Sequence, residues 1–365
     1  MVEGRLPSAS SGSRRVTEVV VLTTAMLTFI SFWRASAIVL CDMASTMYYV
    51  AGIVEQAVGP AAPWFILMVM LFSSCVLAMY VEGSIMFVRG GVYRVVKEAM
   101  GSSLAKIAVS TLMFGFVLTG PISSVSAGHY LVGLLNSFVG YTGMDLRLPA
   151  NGFAVLFALL VTAYFWRQNI KGIEESSDKA LKIMLLTTVM GVILLLWGSL
   201  SLYLRGVSLP PISPVFSEEG LGWLENFDWV RAIGGVGIMI AIGHSFLGMT
   251  GAETLAQVYR EMEAPKVVNL KRAAVMIFVF VVIMTPFSAF LGVMLLQPEV
   301  RLEYIDNLLA GVAHGLVGPL WLRQMFHTFI VVVGVLILSG AVNTSIVGAN
   351  GVMSRLAEDD VLAEW

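Results

Sequence analysis

Eight stretches of this chain are apolar over the length needed to cross a bilayer: roughly 35–58, 62–88, 104–135, 151–166, 181–204, 230–256, 270–297 and 321–352. A crossing helix needs about 20 mostly apolar residues. Inside lipid its backbone polar groups must pair within the segment, which makes runs of this length helices. Charged residues form 13% of the chain and mean hydropathy is +0.85, against about 25% charged in soluble domains. The sequence therefore predicts an all-α polytopic membrane protein. A further apolar stretch, 16–33, is cut off by Trp33-Arg34 and reads as an interfacial helix in preference to an extension of the first span. The polar, basic start, MVEGRLPSASSGSRR, reads as a cytoplasmic tail.

Basic residues set the orientation. With the N-terminus inside, all but Arg147, Arg205, Arg231, Arg301 and Arg323 of the 22 Lys and Arg lie on the cytoplasmic side, as the positive-inside rule requires. The expected location is the cell (inner or plasma) membrane, multi-pass, with a cytoplasmic N-terminus. The segment 205–229 is Pro-containing and acidic, so it reads as a structured external loop. Between the seventh and eighth spans, NLLAGVAHGLVGPL could form a short external or re-entrant helix; a helix lying on the outer surface is the preferred reading. A net charge of −2 argues against a nucleic-acid partner, and Cys41 and Cys75 lie in apolar stretches without metal-ligand spacing.

Three carboxylates break the apolar pattern: Asp42, Glu82 and Glu253. A charge at bilayer depth is costly, so such a group faces a bundle interior, a cavity or a partner. Glu82 is close enough to a span end to reach water. Around Asp42 the chain reads LCDMASTMYYVAG, where Ala44, Ser45 and Thr46 permit close backbone approach and the two hydroxyls can loosen a helix. Around Glu253 the chain reads GMTGAE, and Gly248 with Gly251 costs about 2 kcal/mol relative to alanine in a helix. That cost suits a helix that opens, exposing N–H and C=O groups to a wet cavity, and this reading is preferred to tight packing alone.

On the third span Thr119, Ser123, Ser126 and Tyr130 share one face, beside Gly120-Pro121. Hydrogen bonding between helices and cavity lining are both open for this stripe. His129 and His244 read as structural, and His314 and His327 are too far apart in sequence for a local ligand pair. Phosphate-loop, zinc-protease and nucleophile-elbow motifs are missing from the sequence, so an enzyme is not expected and no cofactor is implied.

These residues resemble the amino acid–polyamine–organocation (APC) transporter superfamily from about residue 35 onward. The small residues Ala44-Ser45-Thr46 stand where the family has Gly-x-Gly. RGGVYRVVKEAMG resembles its loop after span two, through Gly90, Gly91, Tyr93, Ala99 and Gly101. NIKGIEES, through Asn169, Gly172 and Ser176, resembles the loop between spans four and five. TGAETLAQVYREMEAP resembles the sixth-span signature through Gly251, Glu253, Gln257, Glu261 and Pro265, and LAEDDVLAEW the end of span eight.

The resemblance implies two inverted five-helix repeats with discontinuous spans one and six, and a substrate held between those breaks. The expected division is a tail and possible interfacial helix (1–34), a first five-span repeat (35–204), an external loop (205–229) and the first three spans of a second repeat (230–365). On this resemblance the substrate-binding candidates are Ala44, Ser45, Thr46, Ser123, Gly248, Thr250 and Gly251. Tyr48, Phe246 and Glu253 are structural or gating candidates. Proton-coupled members carry a lysine in span five, where this chain has Thr187. Asp42 is a candidate proton carrier, and Thr344 with Ser345 could hold Na⁺. The implied function is secondary active transport of amino acids or related amines by alternating access. The alternative is a non-transporting membrane sensor or an inactive truncated remnant. The expected partners are a small-molecule substrate and the lipid bilayer; oligomeric state is open. Because the second repeat reaches only span eight before Trp365, the chain is expected to be a fragment, or to need a partner, and not to transport alone.

Overall fold

The computed structural model describes residues 30–87, 92–141, 147–171, 176–217, 221 and 234–358. The first helix, α1 (Phe32–Met43), starts where the Ser31 hydroxyl accepts the Arg34 N–H at 3.5 Å, so one orphan donor of the first turn is satisfied. Residues 30–33, at the end of the expected interfacial helix, do otherwise: Ile30 forms an isolated parallel bridge with Met262, and Phe32-Trp33 belong to α1. The rest of that stretch, 16–29, lies outside the described residues, as does the tail.

After α1 the chain tightens into a 3₁₀ segment, Ala44–Tyr48, then resumes as α2 (Val50–Val58). Gly59, at φ +66°, and Pro60 reverse it into α3 (Ala62–Met86). The apolar segment Phe32–Met86 is 55 residues long, and a helix of that length reaches about 80 Å against a core of about 30 Å. The reversal at Gly59 makes it two passes, with α3 packed back along α2.

A short helix α4 (Val92–Met100) leads into α5 (Ser102–Tyr141), which contains Pro121, then α6 (Ala150–Lys171) and α7 (Ser176–Arg205). The sixth pass is again broken: α8 (Gly234–Ser245), a 3₁₀ segment Phe246–Met249, and α9 (Thr254–Val258). The chain continues through α10 (Lys266–Leu295), the short α11 (Pro298–Glu303) and α12 (Leu308–Gly315), and ends in α13 (Leu320–Glu358). Among the described residues, seven apolar segments are long enough to cross a membrane, the first containing two passes. The protein is an all-α polytopic membrane protein.

Large apolar side chains such as Leu71, Phe72 and Met79 on α3 and Leu196 and Leu200 on α7 point outward, as lipid-facing residues do. The buried core gathers around the two breaks, where Met43, Met47, Tyr48, Leu255 and Leu270 are fully enclosed. Both α10 and α13 pack on the first break.

Two loop expectations meet different outcomes. Of the expected loop 205–229, residues 205–217 are structured: Val215 and Ser217 donate backbone N–H groups to the carbonyls of Val58 and Ala57 (3.0 and 3.2 Å), and the rest apart from Leu221 lies outside the described residues. The preferred surface placement of α12 is overturned. Leu308, Leu309, Ala310, Val312 and Ala313 are all buried, and α12 reaches the Ala44–Tyr48 break. A helix apolar on all sides gains nothing on a wet surface and buries itself, here against the first break.

Candidate functional site

Hydroxyls close the break in the first pass. The Ser45 hydroxyl donates to the Asp42 carbonyl and the Thr46 hydroxyl to the Met43 carbonyl, each at 2.6 Å. These are the carbonyls that a helix end leaves without partners, and small hydroxyl residues supply them from within the turn. The Thr46 hydroxyl also lies 3.3 Å from the Gly248 carbonyl, on the other broken pass. The Tyr49 and Thr250 hydroxyls, 3.5 Å apart, add a second link. The two breaks therefore meet face to face.

Gly251 is where they come closest. Its φ is +98°, a region side-chain-bearing residues avoid, and a Cβ there would sit 2.7 Å from Asp42 Cγ and 2.9 Å from the Met43 nitrogen. Its N–H donates to Glu253 Oε2 at 3.1 Å, so Glu253 braces the opened turn from behind. Asp42 is 1% exposed. One of its oxygens accepts the Thr254 hydroxyl at 3.5 Å, and the other has no hydrogen-bond partner among the described residues. Gly248 serves packing as well, since a Cβ on it would meet the Met70 methyl group at 2.8 Å.

The polar stripe of α5 divides between the two roles left open for it. Tyr130 is a hydrogen-bonding residue: its hydroxyl donates to the Tyr48 carbonyl at 2.7 Å and accepts the Leu309 N–H at 3.2 Å. It ties the first break, α5 and α12 together, with its ring edge-on to Tyr48 at 5.3 Å. Thr119 donates within its own helix, and Ser123 is buried close to the Tyr49 hydroxyl. Ser126 and His129, with Tyr49, Ile53, Pro121 and Asp306, line a cavity of about 330 Å³. Tyr49 belongs to both features and links the cavity to the breaks, but Ala44, Ser45, Thr46, Ser123, Gly248, Thr250 and Gly251 are not among the residues that line it. Its size lies in the range of small-ligand sites.

Most candidate residues thus converge: Asp42, Ala44, Ser45, Thr46, Tyr48, Gly248, Thr250, Gly251 and Glu253 all lie at the breaks. Phe246 does not. It is 43% exposed and packs edge-on against Phe72 at 6.2 Å, away from the cavity. Thr344 and Ser345 donate to the Gly340 and Val342 carbonyls of their own helix, at 3.2 and 2.8 Å, and Ser345 abuts Gly120 on α5. Among the described residues no hydrogen bond joins either hydroxyl to Asp42. Thr187 is buried and donates to Ile183. Glu82 is exposed near the end of α3.

Of the family-like motifs, Asn169 donates to Asn343 Oδ1 at 2.8 Å, linking α6 to α13. Gly90, Gly91, Gly172 and the end of the last motif (359–365) lie outside the described residues. Sequence reasoning passed over Tyr49 and Ile53 as cavity walls. It also passed over Glu55, which pairs with Arg301 where α2 meets α11; both side chains are nearly enclosed. A carboxylate inside the first apolar run, set against a few external arginines, was the available signal.

No curated protein matches the chain. A family match covers residues 30–365, which include every described residue, under the description amino acid permease. With two facing breaks inside an all-helical membrane bundle, the chain belongs to the amino acid permease family.

Proposed function

We propose that this permease is a secondary active transporter of amino acids or related amines, working by alternating access around the facing breaks of its first and sixth passes. The observation that carries the reading is the contact between the breaks, made by Thr46 with the Gly248 carbonyl and Tyr49 with Thr250, next to a cavity of ligand size that Tyr49 also lines. Freed N–H groups at a half-helix N-terminus suit a carboxylate, and freed carbonyls suit an ammonium. Ala44, Ser45, Thr46, Thr250 and Gly251 are the proposed binding residues, with Ser123 above them. The reading places 35–204 and the segment from 230 onward as inverted repeats. It places the N-terminus in the cytoplasm of a multi-pass protein of the cell membrane, on the strength of the basic-residue asymmetry. Asp42 is the proposed coupling group, carrying H⁺, because its second oxygen is buried, has no hydrogen-bond partner among the described residues, and its side chain packs against Gly251 of the opened turn. A Na⁺ site at Thr344 and Ser345 has less support, since both hydroxyls are engaged within their own helix.

The test is a thermal-shift screen of the purified chain against amino acids, polyamines and organic cations. A ligand that binds only the native state adds about 2.7 kcal/mol at one hundred times its dissociation constant. Stabilisation by amino acids or amines is expected; silence across all three classes contradicts the proposal.

A further inference from the structure

Charge in the cavity beside the breaks is one-sided. Asp306 is its lining carboxylate, and among the described residues no Lys or Arg lines it. Two contacts on α2 set that carboxylate in place. Gly52 has no side chain, so the Ile305 carbonyl lies directly against the helix. About one turn further on, Glu55 pairs with Arg301 and fixes α11 to the same helix. Ile305 and Asp306 follow α11 in a 3₁₀ turn, Ile305–Asn307, and both line the cavity. The Glu55–Arg301 pair has a second effect, because Arg301 is the one basic residue of 298–307. With it neutralised, Glu299, Glu303 and Asp306 are left exposed and without an ion-pair partner among the described residues.

We propose, on the reading that this cavity takes the substrate, that Asp306 selects ligands with an ammonium group at the end of an aliphatic chain: basic amino acids and diamines over neutral amino acids. Along α2 the lining residues run Tyr49, Ile53, Gln56, which share one helical face and span about 10 Å of the axis at 1.5 Å per residue. Tyr49 marks the end at the breaks, through Thr250. Ile53 lies between Tyr49 and Gln56, and Ile122, Val125 and Ile305 add aliphatic wall. A methylene chain gains by leaving water for such a wall. Its ammonium gains at Asp306, where a charge-assisted hydrogen bond is roughly twice as strong as a neutral one. Carboxylates of one sign at the rim also raise the local concentration of cations. A neutral side chain of equal length gains from the wall alone.

The test is equilibrium binding of radiolabelled L-lysine, cadaverine and L-norleucine to the purified chain. Norleucine is lysine without its side-chain amine, so the pair isolates the charge. The wild-type chain is expected to bind cadaverine, and lysine roughly tenfold or more tighter than norleucine, a difference of about 1.4 kcal/mol. Asp306→Asn is expected to weaken lysine and cadaverine by that factor and leave norleucine unchanged, while Asp306→Glu keeps the preference. Asp306 is exposed, so both variants are expected to unfold at the wild-type midpoint. Ser126→Leu fills the cavity without altering its charge and is expected to weaken every ligand that binds. Binding of none of the three by the wild-type chain, or undiminished binding in Ser126→Leu, removes the cavity reading and the specificity with it. Equal binding of lysine and norleucine, or a preference retained in Asp306→Asn, overturns the role of Asp306 and leaves the cavity reading standing.

Discussion

Replacing Gly251 with alanine puts a methyl group where the two breaks touch, and the cost can be worked from the geometry. The residue sits at φ +98°, where a side chain costs on the order of 1–3 kcal/mol in backbone strain. The new carbon would also lie 2.7 Å from Asp42 Cγ and 2.9 Å from the Met43 nitrogen. The nitrogen is backbone and cannot swing aside, so overpacking adds about 1–3 kcal/mol. The total, roughly 2–6 kcal/mol, is a large share of the 5–15 kcal/mol that holds a typical fold together. Gly248→Ala is the internal comparison: its backbone lies outside that region and its nearest neighbour is the flexible tip of Met70. In detergent, followed by intrinsic fluorescence, Gly251→Ala should unfold several degrees below the wild-type chain and clearly below Gly248→Ala. Equal midpoints for the two variants would refute the close approach at Gly251. A leucine at 251 would therefore damage the fold and the proposed binding surface together, so it cannot probe binding alone.

Other outcomes follow from the same contacts. Glu55→Gln or Arg301→Met alone leaves a buried partner uncompensated and should cost about 3–5 kcal/mol, with the double variant recovering much of it; neutral single variants in chemical unfolding would contradict the buried pair. Tyr130→Phe removes the donor to the Tyr48 carbonyl and the acceptor of the Leu309 N–H, so a loss of about 1–3 kcal/mol is expected, read by thermal unfolding. Thr344→Ala and Ser345→Ala should leave ligand binding unchanged, and binding should tolerate replacement of Na⁺ by choline; a sodium requirement lost in either variant would reverse that assignment. Asp42→Asn should abolish the pH dependence of substrate binding while binding at one fixed pH persists.

The breaks were legible in the sequence because their causes are local. Ser45 and Thr46 satisfy carbonyls within their own turn, and Gly251 takes a conformation that its residue type alone permits. Facing directions beyond a break were not legible. A 3₁₀ segment advances about 120° per residue instead of about 100°, so the side presented by Phe246 could not be carried over from α8. Pairings across long separations were equally hidden: Glu55 meets Arg301, and His314 meets His327, only once α11, α12 and α13 are in place. The apolar run of α12 could not show that this helix packs against the first break, a tertiary fact.

Whether the cavity that Tyr49 shares with the paired breaks is the substrate site is settled by equilibrium binding of radiolabelled amino acids and amines to the purified chain. Ser126→Leu fills the cavity from a half-buried position, and Thr250→Val removes the hydroxyl facing Tyr49. The account expects saturable binding by the wild-type chain, weakened tenfold or more in each variant, or about 1.4 kcal/mol, with unfolding midpoints close to wild type. Wild-type affinity retained in both variants would place the substrate elsewhere and contradict the account.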